Sequence, residues 1–423
     1  MTSSRIAVPQ SELPIPALPR VLALDAARGI AVLGMFAVHV GPRPEAGGAD
    51  WLSVFDGRSA ALFAVLAGVS LALMSGGATP HTGRAARRDL VRIGSRAVLI
   101  ALLGLALAQL QSGIGIMIIL TYYGLYFLLA LPVLRLGARA LTVLAAGWAV
   151  AGPIASFLIR QHMQQNSFGG HPSFAQLDSW SGAWEAVQML VVTGAYPALT
   201  WMPFVLAGMA LGRWGIRELR PLWVIGTGGA LAVAGYGGSW VLQHPMGGRA
   251  HLTDLLTAIM SEAGLTDFDP ASMIDAVGLG TVGTNSWWWL TVCTPHSGTP
   301  FEVLGATGVA FLVIGVLLAV TPSARTALHP LICAGSCALS LYILQAVAVA
   351  VLVPLPDEDA VSLPTGIHGP SWQLLALLAI GSLVLATLWR AVFRRGPAEW
   401  LLHRVTMGIT DVLAPKRVEA AQV

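Results

Sequence analysis

Lysine is all but missing from this 423-residue chain: Lys416 stands alone, and arginine supplies nearly the whole basic side. Charge of either sign is scarce. Asp, Glu, Lys and Arg together make up 11% of the residues, against about 25% in a soluble domain. Apolar residues reach 55% and mean hydropathy is +0.71. That composition excludes a soluble globular enzyme, and the small net charge of +3 gives no basis for a nucleic-acid partner. Cysteine is rare as well. Of the three, Cys333 and Cys337 lie one helical turn apart inside an apolar run, so no disulfide framework is expected. His162, His171, His244 and His251 are scattered without ligand spacing, so no metal site is expected either. A glycine-rich phosphate loop and a repeat of fixed period are also lacking.

Long apolar runs are what the chain does have. About 20 helical residues cross the hydrocarbon of a bilayer, and ten stretches reach that length: 21–41, 54–76, 90–110, 113–134, 138–159, 196–214, 221–243, 301–320, 331–353 and 371–393. The run WEAVQMLVVTG, 184–194, is too short to span. It reads as an interfacial or re-entrant piece, and counted as a span it would make eleven. The expected fold class is an all-α polytopic transmembrane bundle. Arginines set its orientation. With the N-terminus inside, Arg5, Arg20, Arg84 to Arg96, Arg135, Arg139, Arg213, Arg217, Arg220, Arg325 and the cluster Arg390 to Arg417 fall on the cytoplasmic side, and only Arg43, Arg58, Arg160 and Arg249 fall outside. Acidic residues such as Asp254, Glu262, Asp267, Asp269, Asp275, Asp357, Glu358 and Asp359 do the reverse. This places both termini in the cytoplasm of a plasma-type inner membrane. It divides the chain into a tail over 1–20, one membrane domain over 21–393 with outer loops 160–195 and 244–300, and an amphipathic helix and tail over 394–423.

The first span carries three polar residues that lipid would reject. Arg28 to His39 is eleven residues, about 20° of rotation and roughly 16 Å along one face, and Asp25 lies one turn before Arg28 on that face. An intramembrane arginine costs about 2.5 kcal/mol or more on insertion scales and normally faces a polar interior. One explanation is a local ion pair at the membrane edge beside an interfacial histidine. The other is a stripe lining a path or site between the two faces of the membrane.

The run RVLALDAARGIAVLGMFAVH, 20–39, resembles the opening helix of the transmembrane acyltransferase superfamily, the group of the YeiB-type and heparan-α-glucosaminide N-acetyltransferase-like proteins. Its O-acetyltransferase branch has an arginine, ten residues and a histidine in this helix, the spacing of Arg28 and His39. FDGRSAALFAVLAGVSLAL (55–73), PHSGTPFEVLGATGVA (295–310), CALSLYILQ (337–345) and RGPAEWLLHRVT (395–406) are similar to the YeiB type, so the resemblance runs over most of the chain.

Residues 81–96, HTGRAARRDLVRIGSR, place Arg84, Arg87, Arg88, Arg92 and Arg96 at three- and four-residue spacing. By themselves they satisfy the inside-positive bias and attract anionic lipid. The resemblance implies instead a site for the phosphates of acyl-CoA, acetyl-CoA first among them, for which the planar guanidinium is suited. At the outer face it implies a histidine acting as acyl carrier or as base, with His39 the principal candidate and His296, followed by Glu302, its partner. Asp25 and Arg28 would position the donor. Arg58, Trp288 (within Trp287–Trp289), Tyr342 and Gln345 are candidate substrate contacts, although a tryptophan run also suits the membrane interface and Tyr342 with Gln345 also suits helix-to-helix bonding. The expected partners are membrane lipid, acyl-CoA and a glycan or lipid-linked acceptor; the oligomeric state, a homo-oligomer included, stays open. The competing class is a transporter or flippase, since intramembrane charges line such paths too. Of the interrupted spans that mark many transporters, only Gly235 to Gly238 has the look.

Overall fold

The computed structural model describes residues 20–42, 50–110, 114–163, 169–265, 269–353 and 369–415. The expected N-terminal tail, Arg43, Asp267, Asp357 to Asp359 and the end of the chain from Lys416 lie outside them. The described chain is helical throughout: α1 (Leu22–Val40), α2 (Arg58–Met74), α3 (Gly83–Leu107), α4 (Leu120–Ala130), α5 (Ala138–Gln161), α6 (Trp180–Gln188), α7 (Ala198–Arg213), α8 (Pro221–Ala232), α9 (Gly238–Gln243), α10 (Gly248–Glu262), α11 (Pro270–Asp275), α12 (Pro300–Val320), α13 (His329–Ser336), α14 (Ala338–Leu352), α15 (Trp372–Val392) and α16 (Pro397–Leu413).

Six of these segments are long and apolar enough to cross a membrane, and eight if each of two bent pairs is one span. The remaining expected spans take other forms. The run 113–134 shrinks to α4, which Leu131–Val133 extends in a 3-10 turn. The run 331–353 breaks at Cys337, where α13 and α14 meet at 79°. The run 184–194 ends in a π-turn, Met189–Thr193, so that the Trp180–Thr193 segment bends by 57° into α7. Around Gly235 the helix does not break. A π-turn, Val233–Gly237, carries α8 into α9 and turns out Tyr236, whose hydroxyl accepts from Arg58 Nε at 2.9 Å. Such bulges keep the backbone hydrogen-bonded while re-aiming a side chain.

Helix α1 runs through the middle of the bundle, against α2, α12, α13, α14 and α15. Small residues let the backbones come close, as expected where lipid provides no hydrophobic drive between helices. A Cβ on Gly335 would stand 1.6 Å from Asp25 O, and one on Gly29 2.4 Å from Leu331 O. The crossing of α1 and α13 therefore exists only because both positions are glycine, and it fixes the turn that carries Asp25 and Arg28. The core around it is dense with aromatics. Trp201, Tyr122, Tyr126, Phe36 and Phe204 are its largest fully buried aromatic side chains. A second, smaller core of Leu252, Leu256, Ile274, Trp289 and Val292 sits in the segment between α9 and α12, where the sequence leaves room for a cap.

Candidate active site along the first helix

The polar stripe of α1 faces the interior. Asp25, 1% exposed, accepts from Arg28 Nη1 at 2.7 Å and pairs with Arg20. Arg28 Nη2 donates to Ser70 Oγ at 2.8 Å, and that hydroxyl donates on to Leu66 O at 2.6 Å. An arginine held by a buried carboxylate and a hydroxyl has a fixed direction, and here it points into the bundle rather than to the membrane edge.

Arg28 lines a cavity of about 250 Å³, whose polar wall is Arg20, Arg28, Ser70, Arg96, Tyr123, Ser336, Tyr342 and Glu399. Three guanidinium groups stand against two carboxylates, Glu399 in the wall and Asp25 behind Arg20 and Arg28, so one positive charge is left over and the cavity favours an anion. Glu399 is already engaged: from α16 it accepts from Leu339 N at 2.7 Å and from the Ser340 hydroxyl and amide, closing the start of α14. The Tyr123 hydroxyl is buried in the same wall with no hydrogen-bond partner. A buried hydroxyl without a partner costs about 1–3 kcal/mol, which a polar ligand in the cavity would recover.

At its far end this cavity shares Met35, Ile119 and Tyr342 with a second, small pocket that holds His39, His296 and Tyr196. Tyr342, 4% exposed, accepts from Ile119 N at 3.2 Å and forms one side of the neck. His39 Nδ1 lies 3.2 Å from the Gln345 side-chain amide nitrogen. Because an amide offers a donor at one end and an acceptor at the other, Gln345 can hold the ring in either neutral tautomer.

His296 is 6% exposed and sits at φ 59, the one non-glycine residue at positive φ among the described residues. Its ring stacks on Trp201 with centroids 5.6 Å apart and meets Tyr196 edge-on at 5.3 Å, while Nδ1 has no partner. Burial, with His39 close by, pushes its pKa down to about 4, so the ring is neutral at physiological pH. Glu302 does not orient that ring. Its carboxylate accepts from the backbone N–H of His296 at 2.9 Å and of Gly298 at 2.8 Å, and its own N–H is capped by Thr299 Oγ1 at 3.1 Å. Glu302 thus holds the loop that carries His296 in its left-handed turn, a shape that costs a residue other than glycine about 1–3 kcal/mol.

The remaining candidates are spread out. All five arginines of 81–96 lie in α3 itself, and of them only Arg96 reaches the cavity. Arg84 and Arg87 are exposed. Arg88 binds Asp411 and donates to Ala414 O, tying α3 to the end of α16. Arg92 donates to Met74 O and Asp89. Arg58 is taken up by Tyr236, and Trp288 packs over Gly248 in the smaller core, away from both histidines. Neither lines the histidine pocket. Tyr123, Arg20, Ser70 and Glu399, which line the cavity, and Tyr196 and Trp201, which pack on His296, are not among the candidates read from the sequence. The run TYYGLYF around Tyr123 was a usable signal, since two adjacent tyrosines in an apolar span invite the question of what their hydroxyls meet.

The model for the catalytic region of heparan-alpha-glucosaminide N-acetyltransferase matches residues 20–235, just over half of the chain. A second, described as a protein of unknown function (DUF418), matches residues 271–409. The chain belongs to the heparan-alpha-glucosaminide N-acetyltransferase catalytic family, a family of membrane acetyltransferases that in general use acetyl-CoA. Among curated proteins none matches the chain. The two matched regions meet at the histidine pocket: His39 comes from the first, His296, Tyr342 and Gln345 from the second.

Proposed function

We propose that the protein moves an acyl group, acetyl in the simplest case, from acyl-CoA to a hydroxyl or amine on a glycan or lipid-linked acceptor at the opposite face of the membrane. The observation that carries this is the line of cavities along α1, from Arg20, Arg28 and Arg96 past the Met35–Tyr342 neck to His39 and His296. The arginine-rich end would face the cytoplasm, where acyl-CoA is made. Arg96, Arg28 and Arg20 would hold phosphate and carbonyl oxygens, and the Tyr123 hydroxyl would bond an amide of the donor's pantetheine arm. The thioester would then sit at the neck, with its carbonyl toward the histidines.

His39, steadied by Gln345, would take the proton of the acceptor as its oxygen or nitrogen attacks the thioester carbon; the C–S bond breaks and the CoA thiolate leaves with a proton. Base catalysis of this kind contributes roughly 10²–10⁴-fold. His296, neutral and walled by Trp201 and Tyr196, would border the acceptor side. Membranes carrying the protein, supplied with labelled acetyl-CoA, should incorporate label into an envelope glycan or lipid, and His39→Ala should abolish it without loss of folded protein. Uptake or export of a substrate without acyl-CoA dependence would make the protein a transporter instead.

A further inference from the structure

A second ligand site lies outside the donor path and does not depend on the reading above. Helix α5 packs on α7, and α8 packs on α12. In the second pair a Cβ on Gly228 would stand 2.7 Å from Gly308 O. Between the two pairs runs a cleft of about 580 Å³, walled by Ala145, Ala149, Ala207, Leu231, Val303 and Phe311. That volume lies within the ~300–1,000 Å³ of ligand pockets. Its few polar atoms are largely spent among themselves, since Trp214 Nε1 donates to Thr142 Oγ1 at 3.1 Å. An apolar cleft of this kind does not hold water, and at this depth in a bilayer hydrocarbon fills it.

The mouth of the cleft says which hydrocarbon. Trp214 and Trp223 stand there, 50% and 70% exposed, the residue type of the lipid headgroup level. Arg139 opens α5 one turn before Thr142, and Arg220 caps the start of α8 one turn before Trp223. Arg135 precedes α5, and Arg217 lies in the turn that joins α7 to α8. Arg135, Arg139 and Arg220 are exposed, and their side chains make no hydrogen bond or ion pair among the described residues. Glu218 lies in the same α7–α8 turn as Arg217, its carboxylate beside Gly215, and Arg213 is turned inward, donating to the carbonyls of Ala72, Gly77 and Leu134. We propose that this cleft binds one anionic phospholipid, its acyl chain between α5–α7 and α8–α12 and its phosphate between Arg139 and Arg220. The lipid would hold together two helix pairs that share few direct contacts.

The test is retention of phosphatidylglycerol against phosphatidylcholine by the full-length protein, delipidated in detergent and read by native mass spectrometry. One phosphatidylglycerol per chain should survive where phosphatidylcholine is stripped. Replacing both Arg139 and Arg220 with alanine, on the exposed surface, should weaken retention roughly thirtyfold, at about fivefold per arginine near a headgroup. Ala149→Leu, which fills the cleft and leaves the arginines alone, should also release the lipid; should it fail to fold, Ala145→Leu one turn away makes the same test. Equal retention of the two lipids overturns the proposal. So does phosphatidylglycerol kept by the cleft-filled variants, since the arginines would then attract only the surrounding anionic membrane.

Discussion

His39 and Gln345 are 306 residues apart in sequence, yet His39 Nδ1 and the Gln345 amide nitrogen stand 3.2 Å apart in the interior of the bundle. Gln345 is 1% exposed, a buried polar side chain in an otherwise apolar helix. If His39 is the base, its ring must be held in one rotamer and one tautomer. Gln345→Leu, close in size, should leave the protein folded and lower acyl transfer roughly tenfold to a hundredfold, the loss expected of a misaligned reacting group. Gln345→Glu should restore much of it, because a carboxylate accepts from the ring once Nδ1 carries the proton, which leaves Nε2 free to act as base. Transfer rates for both variants, beside His39→Ala, check this.

Two arginines about two turns apart on α3 should behave differently. Arg96 faces the cavity, so Arg96→Ala should weaken binding of acetyl-CoA roughly tenfold to a hundredfold, the worth of a hydrogen bond to a charged group. Arg88 is bound to Asp411 and Ala414. Arg88→Ala should therefore loosen α16, seen as faster proteolysis after residue 396, and change donor affinity by no more than about twofold.

Protonation of His296 sets a pH limit on stability. The folded ring titrates near 4 because it is buried, the unfolded ring near 6.5. Between those values the unfolded chain binds the extra proton, so stability rises with pH across that window and is fully present above about 6.5. As the pH falls from 6.5 toward 4 the melting temperature of the wild type should fall. His296→Asn, which tolerates the left-handed turn and does not titrate, should flatten that part of the curve.

The crossing of α1 and α13 should not tolerate a methyl group. Gly335→Ala puts a carbon 1.6 Å from Asp25 O, too close for any rotamer to relieve. The variant should lose about 1–3 kcal/mol or more of stability, as overpacked cores do. Because the same turn carries Arg28, its affinity for acetyl-CoA should fall as well, in contrast with Gly147→Ala, where a Cβ meets open space.

The elements most easily read from the sequence were those whose signal is local. Apolar length gave α1, α2, α5, α12 and α15 to within a few residues, and the amphipathic helix expected within 394–423 is α16. The stripe of Asp25, Arg28 and His39 followed from helical geometry alone. The break at Cys337 and the shortening of α4 did not, because hydropathy over 331–353 and 113–134 continues through both. The site was half legible. That Arg96, and not Arg88, faces the cavity depends on how α16 covers α3, and that Glu302 binds backbone rather than an imidazole depends on the loop's fold. A spacing in sequence cannot carry either.

The most direct measurement is the thermal stability of the purified protein with and without acetyl-CoA, in the wild type and in Arg28→Ala and Arg96→Ala. A ligand at about a hundredfold its Kd adds roughly 2.7 kcal/mol to the folded state. The wild type should melt several degrees higher with acetyl-CoA, and both variants should lose that shift while keeping their unliganded melting behaviour close to that of the wild type. No shift in the wild type at millimolar acetyl-CoA would contradict a donor site along α1.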